Sequence, residues 1–236
     1  MTTESTKLNP RKFTTLDPNA GYITTINAYS VTPERTEEVL AYLVHSAVET
    51  IRYAPGFISF NFHVSRDLTQ IVNYGQWRNR EAVAGARENP KLVALRSETA
   101  KIAGNSMPIQ YELRQSIQAA KATRARLTTL LDPRTGELTL INSYTVRHER
   151  AEELLDFLTR STVETIRYVP GFISANLHVD FDHTQVVNYA QWQSSEATAA
   201  ARENPKVATL MREQLQIADS FAPIPFDLRS CVAAVG

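Results

Sequence analysis

Two apolar spacings alternate along the first half of the chain. Tyr22 to Val31 is rich in β-branched residues and predicts a strand. Thr32-Pro33-Glu34 then offers an N-cap, a proline at the first helical position and an acidic first turn. Leu40, Leu43, Ala47, Val48 and Ile51 recur at helical spacing, which predicts an amphipathic helix running until Pro55-Gly56 stops it. Phe57 to Ser65 and Thr69 to Trp77 are short β-rich runs around a polar turn at Asp67, the pattern of a hairpin. Glu81 to Arg87 and Leu92 to Ala103 return to helical spacing with a break at Asn89-Pro90, and Ile109 to Ile117 reads as a last strand.

The second half restates this pattern 115 residues later without a gap: Val48-Glu-Thr-Ile-Arg-Tyr-Ala-Pro-Gly-Phe-Ile-Ser59 recurs from Val163 to Ser174, and Ile71 to Trp77 recurs from Val186 to Trp192. The lead-in Leu16-Asp-Pro18 with Gly21 recurs as Leu131-Asp-Pro133 with Gly136. Roughly half of the aligned positions are identical, the mark of an internal duplication. The chain therefore divides into a tail (1–13), a first repeat (14–117), a basic linker (118–128) and a second repeat (129–232). Each repeat predicts an α+β unit with helices on one face of an antiparallel sheet. The other sheet face would be bare and apolar, and burial stabilises by about 25 cal/mol per Å². We expect the halves to pack sheet to sheet as an intramolecular pseudo-dimer tethered by Gln118 to Arg126. Further pairing of whole chains, as a homodimer, is left open.

Composition narrows the partners. The 236 residues hold 25 Lys and Arg against 25 Asp and Glu, so no net field draws nucleic acid or an anionic membrane. No apolar run is long enough to span a bilayer. The chain has one cysteine, Cys231, and Met1 to Pro10 lacks an apolar core, so a cytoplasmic protein is expected. Eight scattered glycines form no phosphate-cradling loop, and no Gly-x-Ser-x-Gly elbow is present. His178, Asp180, Asp182 and His183 are matched by His63, Ser65, Asp67 and Leu68, so they read as a solvated turn, and no metal site is expected.

Polar residues on half-buried strands carry the candidate chemistry. Asn73 and Trp77 lie four apart and share a strand face with Ile71 and Gly75. Asn27 interrupts the first strand and His63 the second, and Asn142, His178, Asn188 and Trp192 repeat the set. Singly, each could satisfy the core. Together, strand asparagines beside an indole N–H suggest a wall that stabilises an oxyanion without a formal charge.

These residues resemble the antibiotic biosynthesis monooxygenase family. The runs Val-Pro-Gly-Phe-Ile-Ser and Val-Val-Asn-Tyr-Ala-Gln-Trp, with the lead-in Asp132-Pro-Arg-x-Gly136, are similar to the small quinone-forming enzymes of aromatic polyketide pathways, and the resemblance covers both repeats. It implies ferredoxin-like repeats forming a dimeric α+β barrel, and a reaction in which O₂ as co-substrate oxidises an anthrone- or naphthol-type aromatic with no cofactor. The family's site residues fall on Asn27, Asn73, Trp77 and Arg96, and on Asn142, Asn188 and Trp192. By this reading the asparagines and the indole bind substrate oxyanions, Arg96 favours ionisation, and His63 (His178 in the second repeat) assists proton transfer.

The copies differ within this set. Arg96 is matched by Met211, while Phe60 and Phe62, candidate substrate contacts, are matched by Ala175 and Leu177. An aromatic residue that the family carries six positions after the tryptophan is replaced by Val83 and Thr198. The first repeat should be the better catalyst, and the second should bind other compounds or support the fold. A non-oxidative cyclase or isomerase on the same barrel, and a non-catalytic aromatic-binding protein, are the alternatives. Haem-degrading relatives would need an axial His near Arg96 or Met211, where the sequence has none.

Overall fold

Asparagine caps and prolines set the helix boundaries after each hairpin. Asn79 Oδ1 accepts from the Ala82 N–H, and Asn89 Oδ1 from the Lys91 N–H, so Asn89-Pro90 ends one helix and starts the next. A computed structural model describes residues 13–122 and 128–235. The tail, apart from residue 13, and the core of the linker lie outside these.

The first repeat contains β1 (Thr14–Leu16), β2 (Ile23–Ser30), α1 (Thr36–Glu49), β3 (Phe57–Ser65), β4 (Gln70–Trp77), α2 (Arg80–Glu88), α3 (Pro90–Ala103) and β5 (Ile109–Gln118). The second contains β6 (Thr129–Leu131), β7 (Leu138–Thr145), α4 (Ala151–Glu164), β8 (Phe172–Asp180), β9 (Gln185–Trp192), α5 (Ser195–Glu203), α6 (Pro205–Gln214) and β10 (Ser220–Ala233). α1 is shorter than its apolar spacing predicts. Pro33–Arg35 forms a 3-10 turn in which Thr32 makes no side-chain cap, and Thr36 Oγ1 donates to the Thr32 carbonyl at 3.0 Å. At the other end Thr50 leaves helical geometry at φ −131°, and a second 3-10 turn, Ile51–Tyr53, precedes Pro55.

The two sheets close into one eight-stranded antiparallel barrel in the order β10-β3-β4-β2-β5-β8-β9-β7. The last strand of each repeat makes the closure. β5 pairs with its own β2 from Ile23↔Glu112 to Ile26↔Ile109, then runs along β8 from Tyr111↔Asp180 to Gln118↔Ser174. β10 does the same with β7 and β3. Sheet-to-sheet packing is thus accompanied by shared edges, and among the described residues the barrel has no open edge strand.

Strand alternation sorts the side chains into two layers. Tyr74, Tyr189, Val72, Val187, Ile141 and Phe226 point inward and form the core between the repeats. β1 and β6, paired from Thr14↔Leu131 to Leu16↔Thr129, add the fully buried Leu16 and Leu131 to it. Cys231 belongs to the same layer, and burial pushes its thiol up to about 12. The outward layer carries α1, α2 and α3 in one repeat and α4, α5 and α6 in the other. Val39, Leu40, Leu43 and Ala47 of α1 are buried against the strands, as are Leu154, Leu155 and Leu158 of α4.

Candidate active site

Between the outward sheet face and the helices of the first repeat lies a cavity of about 520 Å³. Its floor follows directly from strand register. Asn73 stands opposite Asn27 on β2 and Phe62 on β3, Gly75 opposite Thr25 and Phe60, and Trp77 opposite Ile23 and Phe57. The expected grouping of Asn27, Asn73 and Trp77 on one wall is what the register produces, and Phe60 and Phe62 join it. Phe60 meets Trp77, Phe57 and Phe62 edge-on at centroid distances of 6.1, 5.0 and 6.0 Å, a continuous aromatic surface. Val83 of α2 and Arg96 of α3 also face the cavity.

The polar groups of this wall are partly committed and partly free. Asn27 Nδ2 donates to the Tyr29 hydroxyl at 2.6 Å, and Asn27 Oδ1 accepts from Ser106. Asn73 Oδ1 is buried with no partner among the described residues. A buried amide left in this state is costly unless a ligand or water completes it. Arg87 and Arg96 line the cavity, and among the described residues no carboxylate does. The electrostatic setting favours an anion.

Gly75 keeps the floor open. A Cβ there would stand 2.6 Å from Phe60 Cε1 and 2.5 Å from Thr25 Oγ1. The second repeat holds Ala190 at this position, opposite Ala175 and Leu140. Gly75→Ala should therefore destabilise the protein by about 1–3 kcal/mol through overpacking, and should cost less when made in a Phe60→Ala background, where one of the two contacts is relieved. Urea unfolding of the single and double variants measures that coupling, and additive losses would disprove it.

The second repeat repeats the frame and closes the space. Its cavity is only about 120 Å³. Asn142 stands opposite Asn188, which stands opposite Leu177, and Trp192 lies two residues beyond Ala190 on the same face. Asn142, Asn188, Trp192, Ala175, Thr198 and Met211 line the cavity, whereas Leu177 is fully buried under α4 and does not. Smaller floor residues would enlarge the pocket, yet it is smaller. Phe221 stands where the first repeat has Ser106 and stacks on Tyr144 at 4.8 Å, and Gln214 accepts a 3.0 Å hydrogen bond from Tyr144.

His63 and His178 are not in either cavity, contrary to the sequence expectation. Phe60, Phe62 and Val64 face the helices, so alternation turns His63 into the barrel. There it is fully buried, its Nδ1 donating to the Asn61 carbonyl at 3.1 Å and its Nε2 accepting from Tyr189 at 2.8 Å. His178 likewise donates to the Val187 carbonyl and accepts from Tyr74 at 2.7 Å. Burial lowers both imidazoles to about 4, so they are neutral at pH 7 and out of reach of a ligand in the cavities. The expected solvated turn holds only for Asp182 and His183: His178 is fully buried, and Asp180, at the end of β8, is itself buried and accepts from Thr184 and Gln185. Among the described residues no group of three or more His, Cys, Asp or Glu is placed to hold a metal ion. No helix there is long and apolar enough to cross a membrane.

The sequence reading passed over Tyr29 and Ser106. Tyr29 lies two residues beyond Asn27, so strand alternation alone puts it on the same wall. Ser106 sits in the segment between α3 and β5, which has no periodicity to read.

The antibiotic biosynthesis monooxygenase model matches this chain twice, at residues 22–97 and 138–213. Tetracenomycin-F1 monooxygenase of Streptomyces glaucescens is 38% identical over 78 residues, spanning 33% of this chain and 70% of that protein. Among solved structures, an anthrone oxidase-like protein superimposes with a TM-score of 0.79 at 16% identity, covering 94% of this chain and 98% of the other. A monooxygenase-like structure from Fusobacterium nucleatum subsp. nucleatum gives 0.63 at 11% identity, covering 92% and 96%. At such identities these two structures speak for the fold.

Proposed function

The chain belongs to the antibiotic biosynthesis monooxygenase family, and from that premise we propose that its first cavity oxidises an anthrone- or naphthol-type aromatic polyketide with O₂. The observation that carries this reading is the wall itself. Two strand asparagines and a tryptophan stand beside an aromatic floor in a cavity of about 520 Å³, faced, among the described residues, by two arginines and no carboxylate. That volume falls within the range of about 300–1,000 Å³ usual for small-molecule pockets, whereas the second cavity falls below it. Turnover is assigned to the first repeat.

The chemistry needs orientation and charge stabilisation. A polyphenolic anthrone that loses its acidic C–H proton becomes an electron-rich enolate, and this ion can itself give an electron to O₂. Asn73 and Trp77 donate hydrogen bonds to the enolate oxygen, Arg96 and Arg87 lower the cost of the negative charge, and Phe60 and Phe62 hold the rings flat. In the balance, the reacting CH₂ loses both hydrogens and gains one oxygen as a carbonyl, and the second oxygen atom leaves as water. Tetracenomycin-F1 monooxygenase is, by its name, an oxygenase of tetracenomycin F1, which supports the reading of an oxygenase.

The test is incubation of chelator-treated protein with 1,8-dihydroxyanthrone under ¹⁸O₂. One labelled oxygen in an anthraquinone product, formed faster than without protein, is the expected outcome. Rearranged product without oxygen uptake would assign a cyclase or isomerase, and binding without turnover a carrier.

A further inference from the structure

We infer that the second cavity is a ligand site in its own right, built for a single aromatic ring that carries a hydroxyl group. This goes beyond the oxygenase reading and does not depend on it. The starting point is what the second repeat has kept. Thr25, Arg96 and Ser106 of the first cavity are matched by Leu140, Met211 and Phe221, so these polar groups have given way to apolar ones. Both strand asparagines nevertheless remain, as Asn142 and Asn188.

Those two amides lack partners. The Oδ1 atoms of Asn142 and Asn188 are buried and unpartnered among the described residues, and Asn142 is 8% exposed. The two residues stand directly opposite each other on β7 and β9, yet neither amide oxygen accepts from the other residue. A buried amide in this state destabilises the fold, and leucine, of similar size, would remove the penalty. Elsewhere around the cavity the hydrogens are committed. Thr162 donates to the Leu158 carbonyl at 2.7 Å, Thr198 to the Ser195 carbonyl at 2.8 Å, and Tyr144 to Gln214 Oε1. The unmet hydrogen-bonding capacity is thus concentrated on the asparagine wall, where a guest can complete it.

The rest of the cavity defines that guest. Phe172 packs edge-on against Trp192 at 5.3 Å and Phe221 stacks on Tyr144 at 4.8 Å, so two aromatic pairs line the space and offer surfaces to a third ring. A volume of about 120 Å³ is close to that of an engineered cavity of about 150 Å³ that binds benzene, enough for one ring and too little for three fused ones. Arg202 is exposed and also lines the cavity, which places its mouth there. A hydroxyl both donates and accepts, so it answers either end of an asparagine amide, whereas a bare hydrocarbon leaves both amides unmet. Water alone fits less well, since each molecule needs about two to four polar partners and most of this lining is apolar.

The chain has two tryptophans, one in each cavity, so Trp77→Phe leaves Trp192 as the reporter of the second. Titrating that variant of the full chain with phenol should change the Trp192 emission saturably. Toluene, which carries a methyl group in place of the hydroxyl, is titrated beside it. Adding Asn188→Leu should lower the preference for phenol over toluene about tenfold, the effect of one lost hydrogen bond. Asn142→Leu takes its place should that protein fail to fold. Adding Ala175→Leu, which fills the cavity from its floor, should abolish the response to phenol. A folded Trp77→Phe protein without a saturable response overturns the inference and leaves the cavity to water, and so does a response that survives Ala175→Leu. A preference for phenol that the asparagine variants leave unaltered overturns it too. None of these measurements reads anthrone turnover, so the oxygenase reading stands or falls separately.

Discussion

Asn73→Ala is expected to lower kcat/KM for anthrone oxidation by about 10²–10³, the usual cost of removing one donor from a site that stabilises an oxyanion. The equivalent change, Asn188→Ala, is expected to leave turnover within about twofold, because its cavity of about 120 Å³ cannot take the substrate. The side-chain oxygens of Asn73 and Asn188 are both without a partner among the described residues, so the two variants remove the same kind of group and differ in the cavity that it faces. Steady-state kinetics of the two single variants decides the matter. Comparable losses would mean that both cavities turn over, and the assignment of catalysis to the first repeat would be wrong.

Acid should weaken the fold sharply between pH 6.5 and 4. His63 and His178 are neutral and fully buried in the folded barrel, each lowered from 6.5 to about 4 by desolvation. The unfolded chain takes up a proton below its ordinary value of about 6.5 while the native one does not, so stability falls as pH drops through 6.5 and stops falling near 4. At pH 5 each histidine should account for about 2 kcal/mol of lost stability relative to pH 7.5. The measurement is the urea midpoint across that range for wild type and for the His63→Gln, His178→Gln double variant. The variant should be weaker at pH 7.5 and flatter with pH, and an unchanged slope would show that other groups govern acid unfolding.

Both expectations come from the same strand alternation, which also explains how far the sequence could be read. The repeat and the α+β units were legible because they rest on local signals: β-branched runs, helical spacing, Asn89-Pro90. The wall of Asn73, Gly75 and Trp77 was legible from a period of two on one strand. His63 was misplaced because its polarity marks it as functional only if one ignores that Phe60 and Phe62 already claim the helix-facing side of β3. An imidazole in a protein core is as conspicuous in sequence as one in an active site. The relative size of the cavities was not legible from the floor, since Ala175 and Leu177 suggest a larger space. It is set by Phe221 and Gln214, which reach the wall only through the register of β7 with β10 and the approach of α6. The exchange of β5 and β10 between sheets was equally hidden, because pairing across repeats leaves no trace in local periodicity.

The single barrel closed from one covalent chain changes what substitution can do to it. In a barrel made from two identical chains every amino-acid change appears in both pockets, so a residue that seals one seals both and activity is lost. Here a serine at 106 and a phenylalanine at 221 occupy equivalent places in one molecule. One half has been free to trade an opening for a well-packed strand, while the other keeps its opening and draws its sheet edge from that firmer partner. Duplication has thus divided between two copies the demands that a symmetric barrel must meet twice over in a single sequence.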